Sequence, residues 1–179
     1  MVKKMRLILI RHGKTKGNKE RRYIGRTDEP LSENTVIEKI YPNAEKIISS
    51  PMKRCIMTAE LIYPNKKIIK CEKLSETDFG EFENKTYDEL KYDQRYIEWI
   101  NSGGMIACPG GESRAEFSKR CIDAYEEIIK MDSESIAVIA HGGTIMAIME
   151  HVFGGDFYDY HVDNLEGYIL TDKSEYVKI

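Results

Sequence analysis

The sequence predicts an α/β fold, a three-layer α/β/α sandwich with a mostly parallel central sheet. Three observations favour this class. Short apolar runs typical of buried strands alternate with stretches of helical pattern along most of the chain. Two of these runs end in His-Gly, at His12 and His141, as expected of parallel strands that present side chains at one edge of a sheet. The 179 residues suffice for a single domain with a buried core, which we expect to span residues 1–179.

Each predicted strand is a run of aliphatic or β-branched residues bounded by polar residues. In chain order, the strands are predicted at Arg6–Ile10, Lys46–Ser49, Lys67–Lys70, Ile136–Ala140 and Tyr168–Thr171, followed by an edge strand at Tyr176–Lys178. The helices between them are predicted at Met52–Tyr63, Tyr87–Ile100, Ser113–Met131 and Gly143–Phe153. Because helices lie between most of the strands, the sheet is expected to be mostly parallel.

Local signals indicate where three of these helices begin. Thr86 and Ser113 each stand three residues before a glutamate, which is the pattern of a capping box. Pro51 suits the first position of a helix, with Ser50 as its N-cap. A helix that begins there would aim backbone N–H groups and the nearby Arg54 at an anion.

Two segments are expected to depart from a regular sandwich. The stretch Ser32–Tyr41 has room only for a short covering helix before Pro42. Residues 72–111, whose last part is Gly-rich, are predicted to form a small lid-like insertion over the strand ends, where substrate specificity would be set. Four aromatic residues of the insertion stand near helical spacing and predict a packed face: Tyr87, Tyr92, Tyr96 and Trp99.

Charged and polar side chains cluster at strand ends, the edge of an open α/β sheet where ligands bind. Arg11 and His12 follow the first strand, and taken alone they could belong to a solvated turn. His141 and Gly142 follow a second strand, and Arg54 stands near the start of a predicted helix. Arginines can hold a phosphate through two parallel hydrogen bonds, which lysine does less well. These residue types together indicate a phosphate site with imidazoles beside it.

Six sequence blocks stand in order over about residues 5 to 150: Arg11–Asn18, Gly25–Leu31, Ser49–Ala59, Leu74–Glu83, Gly110–Ser113 and His141–Gly143. Together they resemble the histidine phosphatase superfamily, also called phosphoglycerate mutase-like. One block would be a weak signal, whereas six in family order are a specific one. The chain departs from the family pattern at Lys14, where Glu or Gln is commoner, and in the short segment after Leu31.

Phosphoryl transfer needs a nucleophile, charge neutralisation and a proton for the leaving oxygen. His12 is the candidate nucleophile, because a neutral imidazole can attack phosphorus when a carbonyl holds its other nitrogen. The resemblance implies the same role, through a phosphohistidine intermediate. Arg11, Arg54 and a protonated His141 are candidates to hold the phosphate, and Glu76 is the candidate general acid and base. The acidic neighbours of Glu76 are its rivals for that role: Asp78, Glu81 and Glu83.

Three further residues are candidates for phosphate or substrate contacts: Asn18, Gly25 and Gly142. For Asn18 and Gly25 a role in a turn has nearly equal weight, and Gly25 could serve a backbone of positive φ. His161 lies in the acidic stretch Asp156–Asp163, which is expected to be a solvated loop. His151 and His161 have no partner at ligand spacing, so surface or packing positions are expected for both.

The leading functional prediction is a metal-independent phosphomonoesterase that acts on a small phosphorylated metabolite and uses no cofactor. The chain's small size and the block Arg22–Leu31 look most like the α-ribazole phosphatases, which implies a 5′-phosphate substrate from assembly of the lower loop of cobalamin. Three alternatives are a phosphoglycerate mutase, a non-catalytic phospho-ligand binding module and a metal hydrolase. A mutase would need more lid and tail, a binding module would have lost His12 or Glu76, and no carboxylate stands at metal-ligand spacing from the histidines.

Composition and sequence pattern limit the cellular compartment and the classes of partner that we expect. The net charge of −3 gives no nucleic-acid footprint. The apolar run after the basic start Met1–Arg6 is four residues long, too short for a signal peptide or a membrane span. The four cysteines include no Cys-x-x-Cys pair, which predicts reduced thiols. We therefore expect a cytoplasmic protein that binds neither nucleic acid nor membrane.

Overall fold

A six-stranded mixed sheet forms the centre of the protein in a computed structural model that describes residues 5–172 and 175–179. The basic residues at the very start of the chain lie outside these ranges. The strands are β1 (Arg6–Arg11), β2 (Lys46–Ser49), β3 (Ile68–Lys70), β4 (Ser135–Ala140), β5 (Gly167–Asp172) and β6 (Glu175–Lys178), in the order β3-β2-β4-β1-β5-β6. Strands β3, β2, β4 and β1 are parallel, while β5 and β6 extend the sheet with antiparallel pairing.

Six α-helices accompany the sheet in the described residues. They are α1 (Lys16–Lys19), α2 (Lys53–Ile62), α3 (Tyr87–Leu90), α4 (Gln94–Asn101), α5 (Arg114–Ile128) and α6 (Gly142–Phe153). Short 3₁₀ turns lie at Glu72–Leu74, Gly80–Phe82 and Phe157–Tyr160. The capping boxes predicted at Thr86 and Ser113 are confirmed at the starts of α3 and α5. None of the helices within residues 5–172 and 175–179 has both the length and the apolar character needed to cross a bilayer.

Alternate residues of the central strands face opposite sides of the sheet, which is why helices cover both faces. On one side Leu9 and Val138 pack in a cluster with apolar residues of α5 and α6. On the other side Ile10 and Ile139 pack with Cys55 and Ala59 of α2. The three-layer α/β/α sandwich with a mostly parallel sheet is therefore confirmed, since the strand pattern buries both faces.

Residues 72–111, which we call the lid segment, have an apolar cluster of their own. Phe82, Leu90, Tyr96 and Cys108 are buried together, apart from the two clusters of the sheet. Tyr23, Phe79 and Trp99 pack against them. Of the four aromatic residues predicted to form a packed face, Tyr96 and Trp99 do so, whereas Tyr87 and Tyr92 are exposed.

The predicted covering helix at Ser32–Tyr41 is wrong, because this stretch forms a turn at Glu33 and Asn34 and no helix in the structure. Its end is held by a distant carbonyl, that of Leu165, which accepts a hydrogen bond of 2.6 Å from the Tyr41 hydroxyl. Ile40 is 93% exposed, so a helix here would have had no apolar face to bury.

Two other helix predictions need correction. The single helix predicted at Tyr87–Ile100 is divided into α3 and α4, because the Asp93 carboxylate accepts a hydrogen bond of 2.9 Å from the N–H of Arg95 and starts a new helix there. Helix α2 begins at Lys53 with Met52 as its N-cap, so Ser50 is not the cap. The Ser50 hydroxyl instead lies 2.8 Å from Nε2 of His141.

Candidate active site

The two histidines of the His-Gly motifs meet at the carboxyl ends of β1 and β4. These strands are parallel neighbours with Arg11 opposite Ala140, so the next residue of each strand, His12 and His141, reaches the same edge. Their ring centroids are 5.2 Å apart. Both side chains are buried, which places the pair beneath the surface of the sheet edge.

The tautomer of His12 follows from its hydrogen bond. Its Nδ1 lies 2.7 Å from the carbonyl oxygen of Gly13, and because that oxygen can only accept, Nδ1 must carry the proton. Burial and the neighbouring cations Arg54 and Arg11 hold the pKa of His12 well below its ordinary value, against the opposing effect of the Gly13 carbonyl. The ring is therefore neutral at physiological pH, and its Nε2 keeps a free lone pair.

Two arginines, the buried Arg54 and the partly buried Arg11, supply the positive charge of the site. Arg54 is completely buried, and its two terminal nitrogens donate to the carbonyls of Gly25 and Thr27 at 2.9 Å each. Arg11 donates from one terminal nitrogen to the carbonyl of Val162 at 2.7 Å. The Nε atoms of both guanidinium groups are buried with no hydrogen-bond partner among the described residues. Both arginines therefore keep donor capacity for an anion.

A loop of residues 25–27 holds Arg54, and Glu83 of the lid segment holds the loop. The Glu83 carboxylate accepts hydrogen bonds from the N–H groups of Gly25 and Arg26 at 3.1 and 2.7 Å, and from the Thr27 hydroxyl at 2.8 Å. One carboxylate thus fixes the segment whose carbonyls orient the guanidinium of Arg54.

Gly25 is required by close packing and not by a positive φ, contrary to the conformational role expected of it. Its φ lies outside the left-handed region, and a Cβ at this position would overlap the carbonyl oxygen of Thr77. The carbonyl of Gly25 is a partner of Arg54, so the structure gives the residue a role in orienting this guanidinium.

His141 differs from its expected charge state. Burial lowers its pKa well below the ordinary value, and the charges of Arg54, His12 and Arg11 lower it further. In this structure the ring is therefore neutral, not protonated. A bound phosphate dianion would oppose these effects and favour the protonated ring.

Glu76 occupies the amino-terminal end of α6. Its carboxylate accepts hydrogen bonds from the N–H of Thr77 at 2.9 Å and from the N–H of Gly143 at 3.2 Å. A Cβ at Gly143 would overlap the Glu76 carboxylate. Gly142 lies against the Arg11 guanidinium, where an added Cβ would be 3.5 Å from it. The first turn of α6 therefore brings Glu76 and Arg11 together.

The three acidic rivals of Glu76 have other partners. Asp78 accepts from the N–H of Gly80 at 2.9 Å, Glu81 pairs with Arg95 at 2.8 Å, and Glu83 binds the loop of residues 25–27. Of these four carboxylates, Glu76 is the one that lines the cavity to which Arg11 and Gly142 also contribute.

Asn18 lies at the edge of the site and helps to hold it. Its side-chain oxygen accepts from the N–H of Thr15 and from the Asn164 amide, both at 3.2 Å. Asn164 also donates to the carbonyl of His12 at 3.0 Å. Sequence reasoning missed Asn164, because this residue belongs to none of the sequence motifs. It contacts His12 only once the chain has folded.

A cavity of about 270 Å³ opens onto this edge of the sheet and extends under the lid segment. Arg11, Glu76 and Gly143 line one end, and aromatic residues line the rest. His161 lies in its wall, together with residues of the 3₁₀ turn at Phe157–Tyr160, so the expectation of a merely solvated loop there is wrong. His151 lies elsewhere, beside Tyr125 and Glu126.

Across residues 5–172 and 175–179, no group of three or more His, Cys, Asp or Glu side chains could hold a metal ion. The cations of the site in the described part of the chain are its arginines.

Comparisons with known proteins agree on one family. The family model described as "Histidine phosphatase superfamily (branch 1)" matches residues 7–176. Phosphoserine phosphatase 1 of Hydrogenobacter thermophilus is 29% identical over 175 residues, which cover 89% of this chain and 83% of that protein. The 2,3-bisphosphoglycerate-dependent phosphoglycerate mutase of Cytophaga hutchinsonii is 29% identical over 163 residues, covering 82% and 76%.

Solved structures show the same fold. The alpha-ribazole phosphatase from Shigella flexneri superposes on this chain with a TM-score of 0.82, over 95% of this chain and 98% of that one. The two sequences are 21% identical, so the likeness concerns the fold.

Proposed function

Because this chain belongs to the histidine phosphatase superfamily (branch 1), we propose that it hydrolyses phosphate monoesters through a phosphohistidine formed on His12, without a metal ion. Phosphatase-named relatives support its place among the phosphoric monoester hydrolases. The observation that carries the proposal is the hydrogen bond from Nδ1 of His12 to the Gly13 carbonyl, which leaves Nε2 as a neutral nucleophile in a ring whose pKa is lowered by burial and by Arg54 and Arg11.

In the first step, Nε2 of His12 forms a bond to phosphorus while the bond from phosphorus to the ester oxygen breaks. Glu76 in its acid form gives a proton to the departing alkoxide. In the second step, water attacks the phosphohistidine, Glu76 takes a proton from that water, and the phosphorus–nitrogen bond breaks. Inorganic phosphate leaves, and His12 and Glu76 return to their starting forms.

The charge that develops on the transferred phosphoryl group would be stabilised by Arg11, Arg54 and the first N–H groups of α6. These donors are in place before the substrate binds, because their partners in the protein fix them. Fixed donors cost little reorganisation during the reaction and so favour the transition state. His141, protonated once phosphate is bound, would add a further donor.

For the substrate, we propose a small phosphorylated metabolite, with α-ribazole 5′-phosphate as the leading candidate. The resemblance of Arg22–Leu31 to the α-ribazole phosphatases supports it, and so does the likeness in fold to the Shigella flexneri enzyme. The relatives by sequence include a phosphoserine phosphatase, so phosphoserine belongs in any comparison of substrates.

The proposal is tested by phosphate release in the presence of EDTA. The panel comprises p-nitrophenyl phosphate, α-ribazole 5′-phosphate, phosphoserine, 3-phosphoglycerate, fructose 2,6-bisphosphate and a phosphopeptide, with His12→Ala as the control. A substrate preferred by about 10³-fold in kcat/KM would identify the physiological class, since this ratio is about 4 kcal/mol of transition-state binding. Turnover that EDTA abolishes would contradict the metal-independent mechanism.

A phosphoglycerate mutase is the second candidate, because several relatives carry that name. A mutase must keep water away from its phosphohistidine while the product turns round. Isomerisation of 3-phosphoglycerate with a bisphosphate primer, and no hydrolysis of the panel, would support this alternative. Binding of phosphorylated ligands without turnover of either kind would instead support a non-catalytic module.

A further inference from the structure

The part of the cavity that lies beyond the phosphate end is walled by aromatic rings. From Arg11 and Glu76 the cavity runs between the lid segment and the 3₁₀ turn at Phe157–Tyr160. Any group esterified to a phosphate held by Arg11 would have to occupy this space. The chemistry of its walls therefore bears on the leaving group.

The wall on the lid side is an aromatic surface. The Trp99 ring meets the Tyr23 ring edge-on at 5.6 Å and the Phe79 ring edge-on at 6.2 Å. The Tyr23 hydroxyl shares a hydrogen bond of 2.7 Å with the Tyr96 hydroxyl inside the lid. The Tyr23 hydroxyl thus has its hydrogen-bond partner inside the lid, and the wall presents ring carbons to the cavity.

On the opposite wall the charged groups already have partners. The Arg114 guanidinium lies 3.5 Å from the centroid of the Phe157 ring, and it donates to the Tyr158 hydroxyl at 2.9 Å. The Glu112 carboxylate is paired with Arg120 by two hydrogen bonds of 2.8 and 2.9 Å. The Glu112 charge is thus neutralised within the protein, and the planar Arg114 guanidinium on the Phe157 ring continues the flat surface.

We propose that the leaving group is an alcohol that carries a flat ring system, and that Trp99 is the residue that selects it. The inference rests on the phosphatase function proposed above and specifies its substrate class. A ring can stack between the two walls without displacing any hydrogen bond described here. The ammonium of an amino acid would have to compete with Arg120 for the Glu112 carboxylate.

The first test uses binding alone. Trp99 is the one tryptophan of the chain, so its emission reports directly on this wall. We expect 2-phenylethylphosphonate to change the Trp99 emission and to bind about tenfold more tightly than ethylphosphonate, measured by titration. Equal dissociation constants, or binding without a change in emission, would overturn the ring pocket. That result would leave the phosphatase function intact.

The second test uses turnover of matched primary esters. We expect kcat/KM for 2-phenylethyl phosphate to exceed that for ethyl phosphate and for phosphoserine by about tenfold or more. Trp99→Ala should reduce this preference severalfold, whereas Trp99→Phe should retain most of it. Tyr92→Ala, which alters an exposed aromatic residue of the lid segment, is the matched control.

The outcomes separate the two proposals. Hydrolysis of every ester with no preference for the ring, or a preference for phosphoserine, would contradict the ring pocket alone. If no ester is hydrolysed, the phosphatase function fails, and the phosphonate titration still decides whether a ring binds beside Trp99.

Discussion

At the scale of single residues, the site separates the task of attack from the task of proton transfer. His12 is buried and uncharged, with one nitrogen held by a carbonyl. Glu76 lies at the start of α6 and faces the cavity where a leaving group would be. Removing the carboxylic acid should therefore leave the attack less impaired than the steps that need a proton.

Glu76→Gln is expected to lower kcat by about 10² to 10⁴, because it removes general acid and base catalysis. With an activated ester such as p-nitrophenyl phosphate, whose leaving group needs little protonation, the first step should still proceed. The variant should then accumulate phosphohistidine, detected as one added phosphoryl group by intact mass spectrometry. Turnover like that of the wild type would assign the acid to another residue, and His12→Ala should show no added mass.

The buried neutral histidines should also make stability depend on pH. The folded-state pKa values of His12 and His141 lie well below the value near 6.5 of an unfolded chain. Between those values the unfolded state binds protons that the folded state does not. The free energy of unfolding should therefore fall as pH drops below about 6.5, by up to about 1.4 kcal/mol per pH unit for each histidine.

Urea unfolding at pH 7.5 and pH 5.5 measures this dependence. The stability difference between the two pH values should shrink in His12→Asn and in His141→Asn. The control is His151→Asn, at a partly exposed position outside the site. An unchanged difference in both buried-histidine variants would show that other groups cause the acid sensitivity.

At the scale of elements, Glu83 of the lid segment is linked to Arg54, a proposed phosphate-binding residue, without contacting it. Glu83 binds the loop of residues 25–27, and the carbonyls of that loop bind Arg54. The two contacts join the lid segment to α2 through a turn that lies early in the chain. The guanidinium should therefore lose its orientation when the carboxylate is altered.

Glu83→Gln is expected to weaken inhibition by orthovanadate by about tenfold, because an amide nitrogen would face backbone donors that now reach a carboxylate. In a double-mutant cycle with Arg54→Lys, the two effects should not add. Glu81→Gln removes an exposed carboxylate of the same segment and should leave inhibition unchanged. Additive losses in the cycle would mean that Glu83 acts independently of Arg54 and has only a general structural role.

At the scale of the whole molecule, the lid segment and the sheet have separate apolar cores. Phe82, Leu90, Tyr96 and Cys108 form the lid cluster, while the sheet residues pack with α2 on one face and with α5 and α6 on the other. Leu74 at the start of the segment belongs to the sheet cluster, whereas the four residues of the lid cluster pack with one another, so the lid cluster can open before the sheet unfolds.

Tyr96→Ala should therefore destabilise the lid segment selectively. Tyr96 is 1% exposed, and removing a buried aromatic ring typically costs about 3–5 kcal/mol. We expect the urea transition of Trp99 emission to move to lower concentration, with a smaller change in the transition seen by far-ultraviolet circular dichroism. Tyr92→Ala, at an 88% exposed position, should shift neither. Transitions that stay coincident would mean that lid and sheet unfold as one unit.

The difference between local and long-range contacts explains what the sequence could predict. The strands and the two His-Gly ends follow from local patterns, and the parallel pairing of β1 with β4 brings them together. Glu83 acts on residues 58 positions away, and Asn164 acts on His12 from 152 positions away, so no local pattern marks either. The non-helical conformation of Ser32–Tyr41 likewise depends on a distant partner, the Leu165 carbonyl.

The unpartnered Nε atoms of Arg11 and Arg54 should affect both the stability of the enzyme and its inhibition by product. Without an anion, the protein carries two guanidinium groups whose buried Nε donors are unsatisfied, which is unfavourable. Orthophosphate, the product, satisfies them as well as the substrate does. Product inhibition and protection from heat should therefore arise from the same contacts, with a gain of about 2.7 kcal/mol in stability when phosphate is at a hundred times its Kd. An enzyme built in this way is most robust when it is least active.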